Sequence, residues 1–239
     1  MTGIELTPDQ LVIWQWRFIS LNATIIYTWL TMAILTLASW LVTRRLYTGE
    51  QLSRGQNLLE VLVHTLRSQI REISQQETDK YLPFVGSLFI FIAAANLLGI
   101  IPGYEPPTAS LSTTAALALC VFFAVHIYGI AQQGWRGYLG HYLKPTPLMA
   151  PFHIISELSR TLALAVRLFG NIMSGTIIVF LLLAIVPLIF PIIFKMFELL
   201  IGMIQAFIFA VLATVYIASA TQAHEEQKRL AAEAERKKE

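Results

Sequence analysis

The sequence predicts an all-α membrane protein with about five membrane helices, the last two forming a long tilted hairpin, and one interfacial amphipathic helix. Hydrophobic residues make up 56% of its 239 residues and charged residues only 13%, about half the charged share of a soluble domain. The apolar residues also form runs long enough to cross a bilayer, which takes about 20 residues. This composition excludes disordered, fibrous and ordinary cytosolic proteins. A net charge of +2 without a clustered basic domain gives no nucleic-acid footprint, so no nucleic-acid partner is expected.

Five apolar runs are predicted to cross the membrane. The last two are longer than a perpendicular span requires, so either they tilt strongly or part of each lies outside the hydrocarbon. They are interpreted as one helical hairpin, hinged near Pro187 and Pro191. The five runs lie roughly at 21–42, 81–101, 109–131, 148–186 and 188–221.

A polar segment with one apolar stripe follows the first run. Its apolar residues recur every three or four positions, which is typical of an amphipathic helix. Such a helix is suited to the inner membrane surface; a helix of a small cytoplasmic subdomain is the alternative. The stripe consists of Leu59, Leu62, Leu66, Ile70 and Ile73. The chain is thereby divided into an N-terminal segment with the first span (1–43), the amphipathic segment (44–80), a core of four membrane helices (81–221) and a charged cytoplasmic tail (222–239).

The distribution of basic residues predicts an N-terminus outside and a C-terminus inside, because Lys and Arg accumulate on the cytoplasmic side. Of the 17 basic residues, Arg17 and Lys195 fall outside, Arg160 and Arg167 fall within the fourth span, and the other thirteen fall inside. The acidic N-terminus and the length of the first run do not fit a signal peptide. We therefore expect a retained first span.

Polar side chains share one face of each of the last two predicted helices. An arginine near the bilayer centre costs roughly 2.5–3.5 kcal/mol, whereas small neighbours let a second helix approach closely. Two such faces on neighbouring helices predict either a water-filled path along the helices or a partner protein with a buried charge. The fourth-span face carries Glu157, Arg160, Ala163, Arg167, Gly170, Asn171 and Ser174, and the last-helix face carries Glu198, Gly202, Gln205 and Ala206.

A structural role for these charges is the alternative. Arg167 could pair with Glu157 or Glu198 to hold the hairpin, although buried ion pairs are poor stabilisers. For Arg160, snorkelling or a pair with Glu157 is as well supported as a direct role. Since a guanidinium cannot lose its proton, Arg167 is predicted to be a permanent barrier to cations.

Several motifs resemble subunit a of F-type ATP synthases, the stator of the membrane-embedded Fo motor. They occur in the family's order and at compatible spacing between positions 82 and 216. The motifs are NLLGIIPG at 96–103, PTA at 107–109 with LAL at 117–119, SELSR at 156–160, RLFGN at 167–171, and QAFIF at 205–209 with Tyr216.

The resemblance implies a subunit of the bacterial inner membrane that lies against the rotating c-ring, with the peripheral-stalk b-subunit and, indirectly, the F1 sector as partners, surrounded by membrane lipids. It makes Arg167 the stator arginine between two offset half-channels, so that H⁺ or Na⁺ flow is coupled to rotation and to ATP synthesis or hydrolysis. By the resemblance, Asn171, Glu198 and Gln205 line the outer path. His153, Ser156 and Glu157 are candidates for the inner path, and Asn96 is equally well interpreted as a path residue or a buried amide.

The chain departs from the family pattern at several positions. Thr176 and Glu198 stand where some members have Glu and His, His153 replaces an acidic residue, and Ser110 replaces Asp; these changes indicate a divergent branch. His126 is interpreted as a packing residue. No Walker loop, metal-ligand cluster or nucleophile–base arrangement occurs, so a non-catalytic chain without cofactor or metal is expected. The alternative function is a stand-alone channel or secondary transporter with an internal site of Arg167, Glu157 and Glu198, although the internal repeats common in transporters are absent from the sequence.

Overall fold

A computed structural model describes residues 12–16, 19–44, 54–74, 80–101, 103–143, 150–186 and 190–236. Arg17, Pro187 and the side chains of the predicted tail lie outside these described residues. A short antiparallel hairpin, which the sequence did not predict, leads into the helices. It consists of β1 (Val12–Trp16) and β2 (Ile19–Asn22). The helices are α1 (Ala23–Thr43), α2 (Arg54–Ser74), α3 (Leu82–Leu98), α4 (Leu111–Leu143), α5 (Ala150–Ile185) and α6 (Phe190–Arg236), with a 3-10 turn at Pro107–Ala109 before α4.

Within the described residues, four helical segments are long and apolar enough to cross a membrane, and the apolar α3 is shorter, with 17 residues. At 1.5 Å per residue α3 is about 25 Å long, somewhat less than the roughly 30 Å hydrocarbon core. The all-α membrane architecture predicted from composition is therefore confirmed. The four segments are Ala23–Thr43, Leu111–Trp135, Pro151–Ile185 and Phe190–Thr221.

The core lies between α3, α4, α5 and α6. Leu164 and Leu168 of α5 and Phe209 of α6 are almost completely buried there. The buried face of α6 is otherwise rich in alanine, including Ala206 and Ala213, because small side chains let membrane helices approach closely. This packing fixes which face of α5 turns away from the bundle.

The apolar stripe of α2 packs against this bundle. Leu66 and Ile70 are buried, and Leu66 lies against Gly86 of α3, whose added Cβ would be 3.9 Å from its Cδ1. Leu58 and Val61 beside the stripe are exposed. The predicted periodicity is confirmed, with α3 and α6 covering part of the stripe; the position of α2 on the inner membrane surface stays a prediction.

Helix α1 is tied to the bundle by polar contacts at its N-terminal half. The Tyr27 hydroxyl donates to the Gly103 carbonyl at 2.8 Å, and the hydroxyls of Thr31 and Tyr104 lie 2.6 Å apart. Burial raises the pKa of the Tyr104 phenol, and the hydrogen bond with Thr31 opposes that shift. The loop after α3 is thus held against the first helix.

Helix α4 bends sharply at Gly134, which has φ 72° and ψ 160°. A positive φ is readily adopted by glycine and strained for other residues. The chain after the bend returns toward the helix, so that Tyr138 packs on Gly129, where an added Cβ would lie 2.6 Å from Tyr138 Cε2. The sequence predicts a span that ends near residue 131. It did not predict that the chain reverses direction three residues later.

Candidate functional site

One face of α5 is uncovered and polar. Arg160, Ala163, Arg167, Gly170 and Ser174 are exposed, and Glu157 and Asn171 are half-buried. The opposite face is buried in the core and includes Leu164, Leu168 and Ile172. The face predicted from helical spacing is exposed at Ala163, Arg167 and Gly170, whereas Glu157 and Asn171 turn toward neighbouring helices.

Arg167 projects from this face without a partner in the described part of the chain. No hydrogen bond or ion pair among the described residues involves its guanidinium. Pairing with Glu157 or Glu198, the structural alternative, is therefore not the arrangement observed. A Cβ added at Gly170, one turn further on, would meet nothing within 4 Å, which leaves open space beside the arginine.

Arg160 lies nearer the start of α5 and turns toward α6. Its Cζ is 5.7 Å from the centre of the Tyr216 ring, within the usual range of a cation–π contact. Neither the predicted Glu157 pair nor free snorkelling describes this contact. The two arginines of α5 consequently differ: Arg160 stacks on an aromatic ring, whereas the side chain of Arg167 is exposed without such a contact among the described residues.

A cavity of about 240 Å³ lies between α4, α5 and α6 near the start of α5. It brings together the three residues that the resemblance suggested for the inner path, and adds two tyrosines that were not singled out for it. We call it the inner cavity. Its polar lining residues are Tyr138, His153, Ser156, Glu157, Arg160, Thr161, Tyr216 and Ser219.

His126 of α4 faces Glu157 across the helix interface. Its Nε2 lies 3.6 Å from Glu157 Oε2, and its Nδ1 lies 2.7 Å from the Phe122 carbonyl oxygen. The ring also packs on Phe122 at a centroid distance of 4.3 Å, so the packing interpretation described only half of its environment. Sequence reasoning missed the pair, because it did not foresee the bend at Gly134, eight residues after His126.

Glu198 of α6 is held by two side chains. Lys195 Nζ, one turn earlier, lies 2.9 Å from Oε2, and the Thr176 hydroxyl donates to Oε1 at 3.3 Å. The carboxylate reaches α5 through a gap at Gly175, where an added Cβ would be 2.8 Å from Glu198 Cγ. Sequence reasoning placed Lys195 at the outer turn and missed this pair, although its i, i+3 spacing was a readable signal.

Two small cavities adjoin Glu198. One, of about 110 Å³, brings Glu198 together with Asn171 and Ser174, and the other, of about 20 Å³, brings it together with Asn96 and Lys195. We call the residues around Glu198 the outer cluster. Of the residues predicted for the outer path, Asn171 and Glu198 are therefore adjacent in space on two facing helices, whereas Gln205 lines neither cavity.

Gln205 lies two turns beyond Glu198 on the same helix. It is buried, with 5% exposure, and its Nε2 has no hydrogen-bond partner among the described residues. Buried amide donors are nearly always satisfied by protein or by ordered water. An unsatisfied amide between packed helices is therefore a place where a water or another polar group is needed.

Asn96 of α3 is fully engaged as a buried amide. Its Nδ2 donates to the Gly202 carbonyl at 2.9 Å, and its Oδ1 accepts from the Thr108 hydroxyl at 3.2 Å. A Cβ added at Gly202 would lie 3.0 Å from Asn96 Nδ2, so the glycine permits the contact. Of the two interpretations of Asn96, the geometry favours the buried amide that holds α3 to α6.

The family model and the relatives that this chain matches all have the same description. The family described as "ATP synthase A chain" matches residues 25–218. "ATP synthase subunit a 2" of Acaryochloris marina is 61% identical over 219 residues, covering 92% of this chain and 94% of that relative. "ATP synthase subunit a" of Nitrosospira multiformis is 57% identical, covering 91% and 87%, and "ATP synthase subunit a 1" of Chlorobaculum parvum is 57% identical, covering 93% and 98%.

Proposed function

The chain belongs to the ATP synthase A chain family, and from that membership we propose that it is the ion-translocating stator of an Fo motor. It provides two offset half-channels and a fixed arginine against a rotating c-ring, so that H⁺ or Na⁺ translocation is coupled to rotation and to ATP synthesis or hydrolysis. The chain itself catalyses no chemical step. Nucleotide chemistry belongs to the partner F1 sector.

The observation that carries this proposal is the exposed guanidinium of Arg167, which has no partner among the described residues and stands on a face of small residues. A buried ring carboxylate crosses lipid in its neutral, ion-loaded form, because desolvation disfavours its charge. Beside Arg167 the charged form is favoured, so the ion is released there. The same positive charge keeps ions from passing directly between the half-channels, and each charge moved gains about 2.3 kcal/mol per 100 mV.

The two polar clusters lie on opposite sides of Arg167 along α5, as offset half-channels require. Glu157 precedes Arg167 by ten residues, about 15 Å along the helix, and Asn171 follows it by four, about 6 Å. We assign the inner cavity, with His153, Ser156 and Glu157, to the inner path. The outer cluster, with Asn171 and Glu198, belongs to the outer path, together with Gln205 two turns further along α6.

The charge distribution supports the orientation and the partners. With thirteen of the 17 basic residues on one side, the N-terminus lies outside and the C-terminus in the cytoplasm of a bacterial inner membrane. The c-ring lies against the polar face of α5. The peripheral-stalk b-subunit holds this chain to the F1 sector.

A stand-alone transporter with an internal arginine–carboxylate site is less well supported. Glu198 pairs with Lys195 at 2.9 Å, and Glu157 faces His126, so neither of these contacts involves Arg167. Purification in mild detergent distinguishes the two functions. A stator co-isolates with a ring of small hairpin subunits, whereas a solitary chain that transports ions by itself would refute the proposal.

Substitution of Arg167 tests the barrier. Arg167→Ala should abolish ATP-driven ion pumping in membrane vesicles while the complex still assembles, because ions then leak between the half-channels without rotation. Arg167→Lys keeps the charge with a shorter reach and should retain part of the coupling. Subunit content is measured alongside pumping as the control for assembly, and normal coupling in assembled Arg167→Ala complexes would contradict the barrier role.

A further inference from the structure

We propose that His126 and Glu157 share one proton and together set the charge of the inner cavity, which makes His126 a positioning residue of the inner path. The inference rests on the proposed function, since it concerns how that path handles its ion. His126 belongs to none of the motifs that carry the family resemblance. Its assignment comes from the geometry around its two ring nitrogens.

The Nδ1 atom of His126 carries a hydrogen. This nitrogen lies 2.7 Å from the Phe122 carbonyl oxygen, and a carbonyl oxygen can only accept. Nδ1 therefore carries a hydrogen and donates it along the helix. The remaining ring nitrogen, Nε2, is then the one that changes its protonation state.

The Nε2 atom of His126 faces the carboxylate of Glu157. It lies 3.6 Å from Glu157 Oε2, and a bare Nε2 beside an ionised carboxylate would place two acceptors against each other. The arrangement is favourable when one proton is present, either on Nε2 as an imidazolium or on the carboxyl group. The distance is slightly longer than a hydrogen bond, so the ring nitrogen and the carboxylate face each other without direct bonding.

Polar and charged side chains of three helices surround the His126–Glu157 pair. Helix α5 also presents His153 and Arg160 to the cavity, α6 presents Tyr216, and the returning end of α4 presents Tyr138, whose ring centre is 5.8 Å from that of His126. The permanent charge of Arg160 lies on the same cavity as Glu157. The side chains of His126 and Glu157 are 29% and 19% exposed, so neither group is sealed within the chain.

The consequence is a cavity whose charge depends on one proton. With the proton present the pair is neutral as a whole, and after its loss to water the pair carries one negative charge, which attracts a cation arriving on the cytoplasmic side. Histidine is the side chain whose charge ordinarily changes between about pH 5 and 8. The rate of ion transfer through the inner path should therefore respond to cytoplasmic pH in this range.

The test uses complete complexes in inverted vesicles, with ATP-driven pumping measured against the pH of the cytoplasmic side. His126→Asn keeps a donor for the Phe122 carbonyl, and His126→Gln keeps an amide facing Glu157, but neither side chain titrates. Wild-type complexes should pump faster as the pH rises from about 5 to 8, the range in which a histidine ordinarily changes its charge, and both variants should lose this dependence. His64→Gln, in an exposed histidine of α2, is the matched control and should keep the wild-type profile.

A double variant separates this role from packing. If the two residues share one proton, His126→Gln combined with Glu157→Gln should be no slower than Glu157→Gln alone, whereas a packing role gives additive losses. Additive losses, or an unchanged pH profile in either assembled histidine variant, would overturn the inference. Were Arg167→Ala to remain coupled, the proposed function would fail instead. An uncoupled Arg167→Ala together with unaltered His126 variants would reject the proton-sharing pair alone.

Discussion

The two carboxylates of the α5–α6 hairpin are held in contrasting ways. Glu198 is bound on its own helix by Lys195 at 2.9 Å and by Thr176 across the gap at Gly175. Glu157 faces a histidine of another helix at 3.6 Å, at the edge of a larger cavity. One carboxylate has a permanent cation as its partner, and the other has a partner whose charge depends on pH.

Under the proposed function, the difference would give the chain two kinds of ion access. Lys195 places a positive charge beside Glu198, so the outer cluster holds an ion pair in a narrow space. The inferred His126–Glu157 pair would instead let the inner cavity change its charge with one proton. The contrast is testable at each of the contacts that hold Glu198.

Removing the charge of Glu198 should have the largest effect. Glu198→Gln should slow ion transfer roughly a hundredfold, because a positioned proton-transfer group typically contributes at least that much, while the complex still assembles. ATP-driven pumping and passive ion flux through Fo are the measurements. Glu72→Gln, in an exposed glutamate of α2, is the matched control, and an unchanged flux in Glu198→Gln would remove this carboxylate from the path.

Filling the gap at Gly175 should have an intermediate effect. In Gly175→Ala the new Cβ would lie 2.8 Å from Glu198 Cγ, so the carboxylate must move, at a cost of about 1–3 kcal/mol. We expect a loss of about tenfold in ion flux and a lower thermal stability of the complex. Gly55→Ala in α2, where the added methyl group would lie at an ordinary contact distance of 3.5 Å from Val42 Cγ2, is the control; an equal effect of both variants on flux would show that Glu198 is not the residue being displaced.

Removing the cation of the outer cluster should have the smallest effect. The Lys195 side chain is 36% exposed, and solvent screening limits such pairs to about 1 kcal/mol or less. In Lys195→Met the freed carboxylate should bind the coupling ion up to about fivefold more tightly, lowering the ion concentration for half-maximal flux. Lys80→Met, in an exposed lysine before α3, serves as the control. A weaker apparent affinity would mean that Lys195 assists ion entry instead of competing with it.

The sequence predicts well what depends on composition and on helical period. The apolar runs give the membrane helices, and the 3.6-residue period places Arg167 and Gly170 on one face of α5, which the structure confirms. The stripe of α2 is predicted for the same reason. These features need no knowledge of which helix packs on which.

Contacts between helices were less predictable. The facing of His126 and Glu157 depends on the bend at Gly134, which ends the straight part of α4 at a depth that matches the start of α5. The choice between two roles for Asn96 depended on its neighbours Gly202 and Thr108. The β-hairpin escaped prediction because it occupies a short segment before the first long apolar run.

The open space at Gly170 has a mechanical consequence. Arg167 stands on the exposed face of α5 between Ala163 and Gly170, two positions where hardly any side chain protrudes. In the proposed stator, a ring helix that slides across this face meets little steric resistance at Ala163 and Gly170. Its interaction with Arg167 would then depend mainly on the charge that the ring helix carries.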